Sequence, residues 1–389
     1  MSDLKIYGDH DEKTVAQMWR CMGVGSAVDG VLCADGHLGY AQPVGGVIAY
    51  ESHVSISGVG FDIGCGNLAA KTDMTLADIG FRLGAICDDI EKVISFGIGR
   101  QNDERVDHAL FDSPLWQDAG VGHLKEMARA QLGTVGSGNH YVDLFEDEEG
   151  WIWIGVHFGS RGLGHKTATQ FLKLAGGKDG IDVAPAIVDP ETELGARYLA
   201  GMTLAGEYAY AGREWVVDRV RRILAAKITD SIHNHHNFAW RERHGDRDLW
   251  VVRKGATPAF PGQRGFVGGS MGDNAVILEG VPSEEAAGAL YSTVHGAGRV
   301  MSRTEAKGKV NRKTGEVISQ GRISQAEMAG WLREKGVLLR GGGLDEAPQA
   351  YRRLPDVLEA HANTIRILHT LRPVAVLMAG ANEFDPYKD

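Results

Sequence analysis

The sequence predicts an α+β fold. Amphipathic helical stretches and short apolar, strand-like runs are mixed along the 389 residues without the regular strand–helix beat of a doubly wound parallel sheet. Glycine, at 53 residues, is about twice its usual ~7% share, and the excess sits in loops. No Pro/Ser-rich linker, charge block or internal repeat divides the chain, so one large domain over residues 1–389 is expected. A hydrophobic content of 43% with 24% charged residues describes a chain able to bury a large core.

Taken in order, residues 31–50 (VLCADGHLGYAQPVGGVIAY) read as Gly-punctuated strands with Asp35 and His37 in the turn between apolar runs. A glycine-rich loop, Gly58 to Gly66, follows, and residues 67–72 leave it as a strand. Leu76, Ile79, Leu83, Ile86, Ile90 and Val93 fall at helical spacing and predict a helix over 76–95. Further helices are expected near 204–228 and 355–371, and strands at 151–157, 249–253 and 275–279.

Composition narrows the function classes. The start, Met1-Ser-Asp-Leu-Lys-Ile, lacks the basic and apolar regions of a secretory signal. No run approaches the ~18 apolar residues of a membrane helix, so a cytoplasmic protein without membrane contact is expected. Four cysteines, Cys21, Cys33, Cys65 and Cys87, are too few for a disulfide scaffold in so long a chain. A net charge of −10 argues against coating by nucleic acid but leaves room for a local basic groove. Residues 299–313 carry Arg299, Arg303, Lys307, Lys309, Arg312 and Lys313 against Glu305; they read either as a solvated hairpin or as such a groove.

The chemistry concentrates in the glycine loops. Gly58-Val-Gly-Phe-Asp62-Ile-Gly-Cys65-Gly66 sets a carboxylate and a thiol three residues apart, where glycine lets the backbone aim both at one point. A thiolate suits Zn²⁺ and other transition metals, and a carboxylate suits harder ions such as Mn²⁺. The same loop also reads as a plain turn holding an inert buried cysteine. His140 ends Gly136-Ser-Gly-Asn139-His140, His157 closes the apolar run WIWIGVH, His233, His235 and His236 share one segment, and His295 begins His295-Gly-Ala-Gly-Arg299. Histidines at strand ends and in glycine loops are what a site assembled from several elements would show. Their number exceeds one tetrahedral zinc and suits two ions sharing Asp62 or Cys65.

These residues carry a resemblance. GVGFDIGCGN, GTVGSGNHYVD, VHFGSRGLGH, HHN, RKGATPA, GSMG, HGAGRVMSR and DEAPQAY occur in the order and approximate spacing seen in the RtcB family of RNA-splicing ligases, over about residues 25–378. The resemblance implies a single α+β domain of mixed, mostly antiparallel sheets packed with helices around a metal site. It implies a GTP- and Mn²⁺-dependent ligase joining RNA 3′-phosphate or 2′,3′-cyclic phosphate ends to 5′-hydroxyl ends, used in RNA splicing and repair. By motif position, Asp62, Cys65, His140, His157 and His236 hold two Mn²⁺ with Cys65 shared, and His295 is the nucleophile that becomes guanylylated. Asn139 is expected to bind phosphate, with Gly296, Ala297, Gly298 and Arg299 close to it. The guanine pocket falls on Tyr141, Asp143, Ser270 and Tyr351. Arg161, Arg253, Lys254 and Arg303 are the candidates for gripping RNA or triphosphate. An archease-type activator is a conceivable partner, and a monomer is expected.

Two departures stand out. The family's Pro-Val-Ala-Val-apolar-Lys-Gly ending, whose lysine reaches the guanine, reads here Pro373-Val-Ala-Val-Leu377-Met378-Ala-Gly380, followed by an atypical tail, 379–389, in which Lys388 is the one lysine available to fold back. The family's Pro-Asp-Val-His reads Ala34-Asp35-Gly36-His37. Two alternatives follow: a divergent relative that guanylylates or trims ends without joining them, and a metal-stabilised RNA-binding protein without turnover.

Overall fold

The computed structural model describes residues 3–311, 314, 316–381 and 383. Two sheets dominate. One has five strands in the order Asp3–Ile6, Ala27–His37, Val44–Tyr50, Arg247–Lys254 and Asn237–His244. The larger runs Arg264–Val267, Ala275–Gly280, Ile365–Gly380, Tyr141–Glu146, Trp151–Phe158, Gly66–Thr75 and Ile228–His235, with Leu338–Gly342 also pairing to Ile365–Gly380. Among the described residues, the strand ladders are antiparallel except Asp3–Ile6 on Ala27–His37 and Leu338–Gly342 on Ile365–Gly380. The α+β class with mostly antiparallel sheets is therefore as the sequence predicts.

The helix expected near 204–228 is the C-terminal part of a longer one, Glu193–Leu224. The Thr192 hydroxyl caps it by accepting from the Gly195 N–H at 3.1 Å, Glu193 sits in the first turn, and Arg221 and Arg222 occupy the last, complementing the helix dipole at both ends. Its length matters because its two halves serve different cores. Tyr198, Met202, Ala205 and Tyr208 pack with Phe171 and Leu172 of the helix Arg161–Leu174. Val216, Val220 and Leu224 pack with Ile86, Cys87 and Ile90 on the face of the large sheet that presents Leu68, Val142, Leu144, Ile154 and Val156.

Three expectations are corrected. The 76–95 stretch is not one helix: Leu76–Ile79 passes into a 3₁₀ turn at Gly80–Arg82 before Leu83–Val93 resumes, because Gly80 has no side chain to hold the helical register. The predicted 355–371 helix lasts only from Leu354 to Glu359, and Ile365–Gly380 is a sixteen-residue strand. That strand ladders with Ala275–Gly280 through Ile365–Leu371 and with Tyr141–Glu146 through Arg372–Met378, so its backbone groups are satisfied across the sheet and not within a helix. Asp35 and His37 lie not in a turn but at the end of the strand Ala27–His37, where the pairing with Val44–Tyr50 slips between Leu32 and His37. Most of the atypical tail, including Lys388, lies outside the described residues.

Candidate active site

Strand register brings the histidines together. In the large sheet Gly66 pairs with Phe158 on one side and His235 on the other, and Tyr141 pairs with His157. Cys65, His140, His157 and His236 are thereby delivered to one end of four neighbouring strands, His157 as the penultimate residue of its strand and the other three one residue beyond a strand terminus. Glycine permits the approach. Gly64, at φ +71°, turns the chain into Cys65, and a Cβ on Gly159 would stand 2.2 Å from the Asp62 carboxylate.

The resulting cluster is tight. Cys65 Sγ lies 3.8 Å from His140 Nε2 and 3.8 Å from His157 Nε2, and ligand atoms of these three residues all fall within 4.8 Å of one another. Asp62 Oδ2 is 3.1 Å from His140 Nε2. His236 extends the group on the other side, its ring 5.2 Å from that of His157, and its buried Nδ1 meets no partner. The other nitrogens of two rings are fixed from behind: His140 Nδ1 on the Val135 carbonyl at 3.0 Å, and His157 Nδ1 on Asn67 Oδ1 at 2.7 Å. Asn67 is itself held, its amide donating to the Phe266 carbonyl at 2.8 Å. Donation from His157 Nδ1 leaves its Nε2 lone pair facing Cys65, the outer-shell arrangement of metal-binding histidines.

Electrostatics agrees with a ligand set. Burial, then the neighbouring His140 and His295 rings, pull His157 well below the usual imidazole range, and burial with His295 and His157 does the same to His236. Both rings are thus neutral and able to donate lone pairs. Burial and the Asp62 carboxylate push the Cys65 thiol well up. Against the opposing effect of burial, the His140 ring holds Asp62 down at about 2. A soft thiol, neutral imidazoles and an ionised carboxylate fit divalent transition ions; a bound cation would take the thiol as thiolate with release of its proton.

Beside the cluster stands His295, its ring 4.8 Å from that of His236. His295 Nδ1 lies 2.6 Å from Oδ2 of the buried Asp35, and the same oxygen accepts the backbone N–H groups of His295 at 2.9 Å and Gly296 at 3.2 Å. Burial works against the Asp35 charge, yet the His295 ring and these donors keep Asp35 below the usual carboxyl range. Nδ1 thus faces the Asp35 carboxylate, and Nε2 is the other nitrogen of the ring.

A cavity of about 290 Å³ joins these groups, near the lower end of the ~300–1,000 Å³ of small-molecule sites. The expected metal, nucleophile and nucleotide residues line it: Asp62, Cys65, Asn139, His140, Tyr141, Asp143, His157, His236, Ser270, His295, Gly296, Ala297, Gly298, Arg299 and Tyr351. Tyr141 stacks on His157 with ring centres 5.3 Å apart. Its hydroxyl and Asp143 Oδ1 are buried without partners. Ser270 donates to Asp273 at 3.0 Å. Met378, where the resemblance led one to look for lysine, also lines the cavity.

The basic candidates divide. Lys254 lines the cavity, its ammonium on the Tyr40 carbonyl at 2.6 Å, and burial pulls it down to about 8. Arg253, its neighbour on the strand, faces the opposite way: fully buried, it pairs with Glu242 and donates to Ser292 at 2.9 Å and the Leu290 carbonyl at 2.9 Å, so it does not reach the cavity. Alternation along a strand decides this, and the sequence contained the signal. Arg161 Nη1 comes within 3.5 Å of His140 Nδ1. Arg299 donates to Tyr351 at 2.8 Å and the Asp345 carbonyl at 2.7 Å, Arg303 pairs with Glu346, and Lys307 approaches Asp345 at 3.3 Å. The inner half of the 299–313 cluster is thus bound to buried acids, and Arg312 and Lys313 lie outside the described residues. Asn67 and the contact of Asp35 with His295 escaped sequence reasoning, since each links positions far apart in the chain.

Comparison with known proteins identifies the family. The profile of the family described as tRNA-splicing ligase RtcB matches residues 17–123 and 115–379. The chain is 30% identical over 372 or more residues to the RNA-splicing ligase RtcB of Escherichia coli strain K12 (373 residues, 87% of each chain) and to the tRNA-splicing ligase RtcB of Archaeoglobus fulgidus (439 residues, 90% of this chain and 88% of the relative). It is 31% identical over 407 residues to the RNA-splicing ligase RtcB of Mycobacterium tuberculosis, covering 84% of this chain and 90% of the relative. With the Cys65, His140 and His157 cluster in a mostly antiparallel α+β fold, these matches establish that the chain belongs to the RtcB family.

Proposed function

We propose that the chain is an RNA ligase that uses GTP and Mn²⁺ to join RNA 3′-phosphate or 2′,3′-cyclic phosphate ends to 5′-hydroxyl ends. The observation that carries this is His295: a cavity-lining imidazole held by buried Asp35 beside the Cys65, His140 and His157 cluster. A protein that only binds RNA needs no such nucleophile.

In this reading Asp62, Cys65 and His140 hold one ion and Cys65, His157 and His236 a second, following their proximities. The ions would neutralise charge on the triphosphate and on the transferring phosphoryl group. His295 Nε2 attacks the α-phosphorus of GTP; the N–P bond forms as the bond to pyrophosphate breaks. Asp35 stays ionised and stabilises the imidazolium that results. Water first opens a 2′,3′-cyclic phosphate end at its P–O2′ bond to give a 3′-phosphate and a 2′-hydroxyl; an oxygen of the 3′-phosphate then takes the guanylyl group, breaking the N–P bond and returning His295 to its neutral form. Attack of the 5′-hydroxyl on the activated 3′-phosphate joins the strands and expels GMP. Gly296 and Gly298 let backbone N–H groups come close to phosphate, and Asn139 adds an amide. In this reading Asp143 accepts from the paired N–H donors of guanine, which adenine lacks.

Met378 favours a second reading in one respect, because an apolar side chain lines the cavity where a cation would aid base binding. The same assay separates the two. RNA bearing a cyclic phosphate end and a 5′-hydroxyl end, incubated with GTP and Mn²⁺, is expected to be joined by the wild-type protein and not by His295→Ala. Accumulation of guanylylated but unjoined ends would move the function to end modification. The four cysteines are free and buried, in keeping with the cytoplasm as the proposed location, and no helix among the described residues is long and apolar enough to cross a membrane.

A further inference from the structure

We infer that Arg213 is a positioning residue for the metal site, a single guanidinium that sets the spacing of three ligand-bearing segments. The inference rests on the reading of Cys65, His157 and His236 as metal ligands.

Arg213 lies within the helix Glu193–Leu224 and is fully buried. Its Nη1 donates to the Gly64 carbonyl at 2.9 Å and to the Phe158 carbonyl at 2.6 Å, its Nε donates to His233 Nε2 at 2.8 Å, and its Nη2 stands 3.0 Å from His235 Nδ1. Gly64 precedes Cys65, Phe158 follows His157, and His235 precedes His236. One planar fork therefore touches the chain one residue from each of three expected ligands, in the loop that leads into the strand Gly66–Thr75 and on the strands Trp151–Phe158 and Ile228–His235.

The fork is itself locked. The Tyr210 ring lies under the guanidinium at 5.2 Å and packs on His233 and His235, and His233 Nδ1 faces Glu214 at 3.6 Å. A buried guanidinium whose hydrogen bonds all go to neutral acceptors is costly unless opposite charge lies close. Burial pulls Arg213 down to about 10, and the groups that oppose this include Cys65, Tyr210 and Asp62. The nearby Asp62 carboxylate thus supplies part of the counter-charge. Lysine keeps a charge here but offers no rigid fork to span three acceptors.

The test is metal affinity, read on the whole protein with Mn²⁺ and with Co²⁺, whose thiolate charge-transfer band reports the bond to Cys65. Arg213→Lys is expected to weaken binding of either ion by about 10–100-fold, the usual cost of losing an outer-shell partner, and to shift or bleach the band. Val220→Ala, a core change in the same helix, is the control: it lowers stability and leaves both readouts in place. His233→Ala removes one anchor of the fork from a half-buried position and is expected to weaken binding in the same direction, which keeps the inference open to refutation if Arg213→Lys does not fold. Metal affinity and band unchanged in the Arg213 or His233 variants, while Cys65→Ala loses the metal, would overturn the inference alone. Wild-type-like metal binding by Cys65→Ala would overturn the ligand reading beneath it.

Discussion

Asp143 is buried, one of its carboxylate oxygens meets no donor, and burial lifts its pKa well above the ordinary carboxyl range. A carboxyl whose folded pKa is raised binds its proton more tightly in the folded state, so its contribution to stability is greatest below the unfolded value of ~3.9 and is lost as pH rises through the folded pKa. Asp143→Asn is therefore expected to gain stability over wild type as pH climbs from 4 towards 8, measured by denaturant midpoints, and at the same time to lose affinity for guanine nucleotides. A variant whose pH profile parallels wild type would show that the carboxyl is not strained by burial. At this scale the sequence exposed residue types but not their partners. Asp62, Cys65 and the histidines stood out because thiols, carboxylates and imidazoles in glycine loops are rare core material. Asn67, Arg213 and the Asp35 contact did not, because hydrogen bonds between positions 90, 149 and 260 residues apart leave no local pattern.

At the scale of elements, four strands of the large sheet hold the site by register. Pairing Gly66 with both Phe158 and His235 sets which residues meet at the strand ends. Leu144, fully buried in the apolar cluster that also holds Ile90 and Val220, anchors the neighbouring strand Tyr141–Glu146. Leu144→Ala is expected to cost about 2–5 kcal/mol through lost burial and the cavity left behind, checked by urea unfolding; a cost below about 1 kcal/mol would place the strand's stability elsewhere. Strands of alternating or continuous apolar character, such as 151–157, were legible in the sequence. The segment after Leu354 was not, since apolar residues at helical spacing, Leu354, Val357 and Leu358, run directly into a strand whose partners lie far away at Ala275–Gly280 and Tyr141–Glu146.

For the whole molecule, we propose that the described residues fold as one domain. The long helix joins two apolar clusters, and the cavity takes residues from both sheets, Val44 and Lys254 from one and His157 and Asp143 from the other. A single cooperative transition, coincident by circular dichroism and tryptophan fluorescence, is the expected outcome; two separated transitions would divide the chain. The assembly of the site from segments between Asp35 and Met378 also explains why order of motifs along the chain was informative where each short motif was not.

The central claim is that His295 carries the nucleotide. Incubated with Mn²⁺ and GTP labelled at the α-phosphate, the protein is predicted to take up label in an acid-labile, base-stable bond, and His295→Ala to take up none. Label retained by His295→Ala, or wild-type protein that stays unlabelled with metal bound, would contradict the account.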